Sequence, residues 1–281
     1  MKNSIKIILL LMFFIISFDG FSQEKIEKSK NELKKFSKST DRHGRDHSHT
    51  SSASFGGDDS FGNLIVIGIA EGFMFITYYT AIGNYGGEDH LHSNLTNYPY
   101  YNGISGNYEN GDSVSIKMKF SRFDLEDKLL YCNENLFGNH LKFKIRPFQY
   151  FYLQTDFIQL SEFNWIRRDY SNLSLFAFNL CYDRIRFERI NFGWTLGLNY
   201  LGNDVQKTGF SYGLNGDLFI AKNFSLYSSM KWCSINDEHV NVFEVQWKYH
   251  LRKCFITLGY EHLKIGSPNY DFISAGGGIY L

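Results

Sequence analysis

The sequence predicts an all-β fold, an antiparallel transmembrane β-barrel of about ten strands, with eight or twelve as the alternatives. Three observations predict it: apolar–polar alternation recurs through the C-terminal part, the alternating segments run ~9–11 residues, and an export-type leader precedes them. Residues 190–200 show the pattern most plainly. Ile190, Phe192, Trp194, Leu196, Leu198 and Tyr200 project one way, and Asn191, Gly193, Thr195, Gly197 and Asn199 the other. One face is continuously apolar and the other small and polar. A soluble sheet shares this alternation, so its repetition, the strand length and the leader decide for a membrane.

Residues 1–22 read as a signal peptide. Lys2 and Lys6 supply the positive start, residues 7–18 the apolar run, and Gly20 and Ser22 the small residues before a cleavage between Ser22 and Gln23. Residues 23–63 read as a polar, mostly disordered linker. Its first part, rich in Lys, Glu and Ser, has only Ile26, Leu33 and Phe36 as apolar punctuation and predicts a marginal, solvated helix. Its second part is Ser, Gly, Asp and His and buries too little to order itself. His43, His47 and His49 there read as a solvated tract.

Residues 64–112 read as an apolar helix followed by an aromatic and histidine-bearing loop. Residues 64–82 carry a single charge, Glu71, and approach the ~20 residues of a membrane-crossing helix. Glu71, Gly68 and Gly72 weaken a crossing, so the reading is a short helix packed against or below the barrel. An added hairpin and an inner-membrane span are the alternatives. Glu88, Asp89, His90 and His92 form a candidate metal set, because imidazole and carboxylate are usual ligands and an extended chain puts both histidines on one face. No cofactor is otherwise implied. Tyr98, Pro99, Tyr100 and Tyr101 read as loop packing at the barrel rim.

Residues 113–281 read as the barrel, with strands at 113–123, 138–146, 149–160, 173–183, 190–200, 209–220, 224–234, 240–250, 254–265 and 271–281. The intervening segments predict tight turns at one end and longer loops at the other, notably 124–137 and 161–172. In hydrocarbon an open sheet edge is prohibitive, so the strands must close. Ten strands enclose a lumen only slightly wider than the eight-stranded case that side chains fill. The inward charges expected are Lys117, Lys119, Lys142, Lys144 and Arg146, opposed by Asp156, Asp217, Glu244 and Glu261. Mixed signs in a narrow barrel predict cross-pairing and an occluded lumen. The second long loop holds Trp165, Arg167, Arg168 and Tyr170, an aromatic–arginine composition suited to recognition or to a lipid rim.

The closing strand alternates Ile273, Ala275, Gly277, Ile279 and Leu281 to the last residue. This resembles the C-terminal signal that small Gram-negative outer-membrane β-barrel proteins present to the assembly machinery, except that Leu281 stands where an aromatic is usual. The resemblance covers about residues 113–281 and implies outer-membrane lipid and the barrel assembly machinery as partners. It carries no catalytic residues.

Composition agrees. Aromatics make up 18% of the chain, which suits aromatic girdles, and three prolines leave the strands uninterrupted. Net charge is zero, which gives no sign of a nucleic-acid partner. Cys132, Cys181, Cys233 and Cys254 lack metal spacing and read as isolated thiols. The functional expectation is a structural or surface-binding envelope barrel. A small-solute channel is one alternative. An outer-membrane hydrolase using His262, Glu261 and Ser267, or His239 with Asp237 and Glu238, is the other, although no catalytic motif is present.

Overall fold

The computed structural model describes residues 24–34, 78, 81–83, 91–92, 94–109, 121–133, 135–147, 150–165 and 167–281. The signal peptide, the metal candidates Glu88, Asp89 and His90, the inward candidates Lys117 and Lys119, and nearly all of residues 64–82 lie outside the described residues. Residues 36–91 form a unit of their own, in which the Ile82 and Gly83 amides donate to the Tyr78 carbonyl at 2.8 and 3.0 Å.

Among its described residues the other unit has one α-helix, α1 (Lys25–Lys34), a small two-stranded sheet, β1 (Asn94–Leu95) with β2 (Tyr108–Glu109), and ten long strands. These are β3 (Arg122–Asn133), β4 (Leu136–Arg146), β5 (Phe151–Asn164), β6 (Asp169–Arg186) and β7 (Ile190–Leu201), followed by β8 (Lys207–Ala221), β9 (Phe224–Ile235), β10 (Glu238–Leu251), β11 (Cys254–Ile265) and β12 (Asn269–Tyr280). Each long strand pairs antiparallel with its neighbour in sequence. β12 closes onto β3, from Ile273 opposite Tyr131 to Tyr280 opposite Asp124. The barrel is therefore sealed, and no edge remains. Among the described residues no helix is long and apolar enough to cross a membrane.

The outward face is apolar and uncovered. Leu196, Leu198, Phe210, Leu214, Ile256 and Leu258 are all exposed, and Trp194 and Val245 are half-buried. Among the described residues of this unit, no second layer packs on them. Inward residues of the same strands, such as Asn191, Thr195 and Asn199, are buried.

Two expectations need correction. The first strand is β3, over residues 122–133, where the sequence reading had a long loop at 124–137. Its twelve residues alternate Arg122, Asp124, Glu126, Lys128 and Leu130 inward with Phe123, Leu125, Leu129 and Tyr131 outward. Asp127 interrupts the outward set, and its carboxylate accepts from the Asn139 side-chain amide at 2.7 Å. The charge density of this strand imitates a loop. Nor do the connections alternate in length. One end has residues 134–135, 165–168, 202–206, 236–237 and 266–268, and the other 147–150, 187–189, 222–223 and 252–253. β5, β6 and β8 run on past the alternating core, and their extensions absorb the expected loops.

The four cysteines are free; Cys181 and Cys233 are buried, and Cys254 is exposed on the apolar face. Placing a charge on that face tests the assignment. Leu196 lies near the middle of β7, flanked by Leu180 and Tyr212 on the adjacent strands. Leu196→Arg is expected to lower folding stability in lipid vesicles by about 2–4 kcal/mol, measured by denaturant titration. An unchanged midpoint would show that this face meets water.

Candidate functional site: a filled lumen with two caps

The barrel interior is built in three layers. Next to α1, inward side chains are apolar, including Leu130, Leu136, Ile158, Leu173, Leu201 and Leu263, and they form one core with Ile26 and Leu33 of the helix. The polar lumen expected from the alternation therefore does not extend to this mouth. Helix α1 packs there, and its apolar side chains bury the apolar inward residues.

Helix α1 places Ile26, Ser29, Lys30 and Leu33 on one buried stripe, at the spacing of a helical face. A ten-residue helix is marginal alone, so tertiary contacts hold it. The Glu162 carboxylate accepts the Lys25 and Ile26 amides at 3.2 and 2.8 Å, satisfying orphan donors where the helix dipole is positive. Ser29 Oγ donates to the Ile265 carbonyl at 2.8 Å and lies 2.7 Å from Tyr270 Oη. Lys30 pairs with Asp204 at 3.0 Å, which holds that exposed carboxyl below its usual range. The helix is thus docked, where the sequence alone predicts a solvated one.

The middle layer is a ladder of buried ions. Lys142 Nζ lies 2.7 Å from Glu244, and Lys128 contacts Glu244 as well as Glu261, the latter at 2.5 Å. His140 bridges Glu261 at 2.8 Å and Asp156 at 3.2 Å, and Lys231 reaches Asp156 at 2.5 Å. Lys248 pairs with Glu126 at 2.7 Å. His140, Glu244 and Glu261 stand close enough to hold a metal, but the Lys128 ammonium already occupies the space between the two carboxylates. Removing either sign would strand the other in a low-dielectric interior.

The third layer closes the opposite mouth. Residues 94–109 lie over it as a cap. Tyr108 Oη donates to Asp183 at 2.6 Å, and Arg146 reaches the same carboxylate at 2.9 Å. Arg122 holds Asp124 at 2.8 Å and the Asn107 side-chain carbonyl at 2.9 Å. Burial, then the Asp183 charge, holds the Tyr108 phenol well above its ordinary range. Tyr100 Oη lies 2.7 and 2.6 Å from the Ala221 and Phe224 carbonyls, and burial pushes its phenol up to about 12. His92, of the metal candidates, has Nδ1 3.2 Å from the Tyr108 carbonyl and its amide donating to Arg186 at 2.9 Å.

Of the other sequence candidates, Lys142, Lys144, Arg146, Asp156, Glu244 and Glu261 are buried on the inward face, and Asp217 faces inward partly buried. Trp165, Arg167 and Tyr170 are exposed at the α1 end, where Phe163 packs 4.9 Å from both aromatic rings. Arg168 sits in the tight turn with φ 57°, and Arg167 pairs with Glu24 at 3.5 Å. The sequence reading missed Arg122, Asp124, Glu126 and Lys128 with their strand, and His140, Asp183, Lys231 and Lys248. Inward parity along each strand would have found the last four.

The His262, Glu261 and Ser267 grouping comes apart. Glu261 and His262 are consecutive on β11 and so face opposite sides; His262 Nδ1 meets Asp271 at 2.6 Å. Ser267 Oγ donates to Glu32 at 2.6 Å. A Ser–His contact does occur at Ser225 and His250, 2.8 Å apart, but the other ring nitrogen faces Tyr280 Oη at 3.1 Å. A phenol there gives no charge to stabilise an imidazolium, unlike the carboxylate of a catalytic triad.

No protein-family model and no curated protein matches the chain. Solved structures that resemble it include an outer membrane channel from Pseudomonas putida F1, at 8% identity and TM-score 0.34, covering 62% of this chain and 99% of that one. Neisserial surface protein A matches at 11% identity and TM-score 0.32, covering 57% and 97%. Ail, the attachment invasion locus protein of Yersinia pestis, matches at 11% identity and TM-score 0.29, also covering 57% and 97%. The architecture itself rests on the closed strand order and the outward apolar face.

Two predictions follow from the packed interior. Glu244→Gln leaves Lys128 and Lys142 short of a counter-charge, and is expected to cost about 3–5 kcal/mol in denaturant unfolding; a loss under about 1 kcal/mol would mean a hydrated lumen. A free phenol titrates near 10, whereas docked Tyr100 is held neutral to about 12. Its support for cap docking is therefore complete below pH 10 and fades as pH rises to about 12. Tyrosine 13C NMR, assigned with Tyr100→Phe, is expected to show this late titration, and a midpoint near 10 would mean an undocked cap.

Proposed function

We propose that the chain is an outer-membrane barrel with an occluded lumen, serving as a structural or surface-binding component of the envelope. One observation carries the reading: side chains obstruct the interior at three successive levels, with α1 and its apolar core, the ion ladder, and residues 94–109. A conducting path would need a continuous aqueous lane lined mainly by one sign, and the paired charges oppose that. The apolar outer face and the sealed strand order support a membrane setting. The outer membrane is the one that houses such closed barrels.

In this reading β3 begins and β12 ends on the periplasmic side, so the α1 end faces outward. Trp165 and Tyr170 then lie at the outer lipid interface as part of an aromatic girdle, with Arg167 and Arg168 beside them. The exposed rim around α1 is the surface offered to an envelope ligand. Envelope lipid and the assembly machinery are the partners this reading requires.

Purified full-length protein, reconstituted in planar bilayers, is expected to give no stable unitary conductance steps. Reproducible steps would replace this reading with the small-solute channel.

A further inference from the structure

Between the ion ladder and the cap lies a cavity of about 30 Å³, bounded on the cap side by Pro99 and Asn107. By the usual allowance of roughly 10–15 Å³ per water, it has room for a few waters or one small ion. Five cations line it: Arg122, Lys142, Lys144, Arg146 and Lys248. Four are held by carboxylates, Arg122 by Asp124, Lys142 by Glu244, Arg146 by Asp183 and Lys248 by Glu126.

Lys144 is different. Its side chain is buried, only 7% exposed, and among the described residues no carboxylate lies within ion-pair distance of its ammonium. Instead the ammonium sits 4.6 Å from the Tyr227 ring centroid and 5.6 Å from that of Tyr152. Lys142 and Lys248 approach the same Tyr227 ring at 4.8 and 5.0 Å, so three ammonium groups converge on one aromatic side chain. Asp217, the remaining carboxylate of the wall, accepts a long 3.5 Å bond from Asn107 and forms no ion pair with Lys144. A ring quadrupole compensates a desolvated ammonium only in part. Burying a charge without a partner is expensive, and a mobile counter-ion relieves it.

The geometry points to a binding site for a small inorganic anion, up to the size of phosphate, held by Lys144 with help from the neighbouring Lys248 and Arg146. The anion pairs the one of these five cations that no described carboxylate reaches, and the 94–109 cap covers it. Asp217 competes with the anion for the same ammonium. The site depends on the lumen geometry alone, so it stands or falls separately from the absence of conductance.

The test uses the full chain folded in detergent micelles, with inorganic phosphate as the probe in isothermal titration calorimetry. Folding of each variant is checked by heat-modifiable gel migration. Wild type is expected to bind one phosphate saturably. Lys144→Met should weaken binding at least tenfold, Lys144→Arg should stay within a few-fold of wild type, and Lys222→Ala, in an exposed turn outside the cavity, should change nothing. Asp217→Asn should bind several-fold tighter, which keeps the idea testable if Lys144→Met fails to fold. No saturable binding by wild type, binding by Lys144→Met equal to wild type, or an Asp217→Asn variant no tighter than wild type would each overturn the assignment.

Discussion

The whole molecule depends on the pairing of β12 with β3. Lipid offers no hydrogen bonds, so each exposed backbone N–H or C=O would cost several kcal/mol. Ten strands joined in sequence order leave two free edges, and the antiparallel register from Ile273–Tyr131 to Tyr280–Asp124 removes both. Closure then forces the second problem. Ten strands enclose a space too wide to vanish and too narrow to be a generous pore, and the chain must decide what goes inside.

It fills that space in two chemically distinct ways. Near α1 the filling is hydrocarbon, with Ile26 and Leu33 completing a core that the strands cannot close by themselves. Farther along it is charge. Buried ion pairs are weak evidence for net stability, because desolvation offsets most of the attraction. Their stronger effect here is on register. Moving β3 by one residue would turn Arg122, Asp124, Glu126 and Lys128 out toward lipid and bring Phe123, Leu125 and Leu129 in. Each misplaced basic residue near the bilayer middle costs about 2–4 kcal/mol, so the ladder penalises every neighbouring alignment heavily.

Much of the barrel was legible because period-two alternation is a local signal. Strands β4 to β12 all overlap segments in which apolar and polar residues alternate away from the α1 end, and residues 190–200 and 240–250 need only small changes at their ends. β3 was not legible, since Asp127 breaks its outward row and four inward charges crowd into seven positions. The inward parity of Lys142, Lys144, Arg146 and Glu244 could be read in the same way. Their partners could not, because Lys142 meets Glu244 from a strand 102 residues away in the chain. The role of α1 was hidden for a related reason. Its two apolar residues look too few for a core until the strands supply the rest.

The way α1 is held sets an order of assembly. Its anchors are Glu162 on β5, the Ile265 carbonyl at the end of β11, and Tyr270 on β12. The helix precedes every barrel strand in the chain, yet its socket exists only once the last hairpin is in place. It is too short to persist as an isolated helix. The stopper therefore waits, unformed, until the vessel is finished, and its seating is the latest event that the contacts allow.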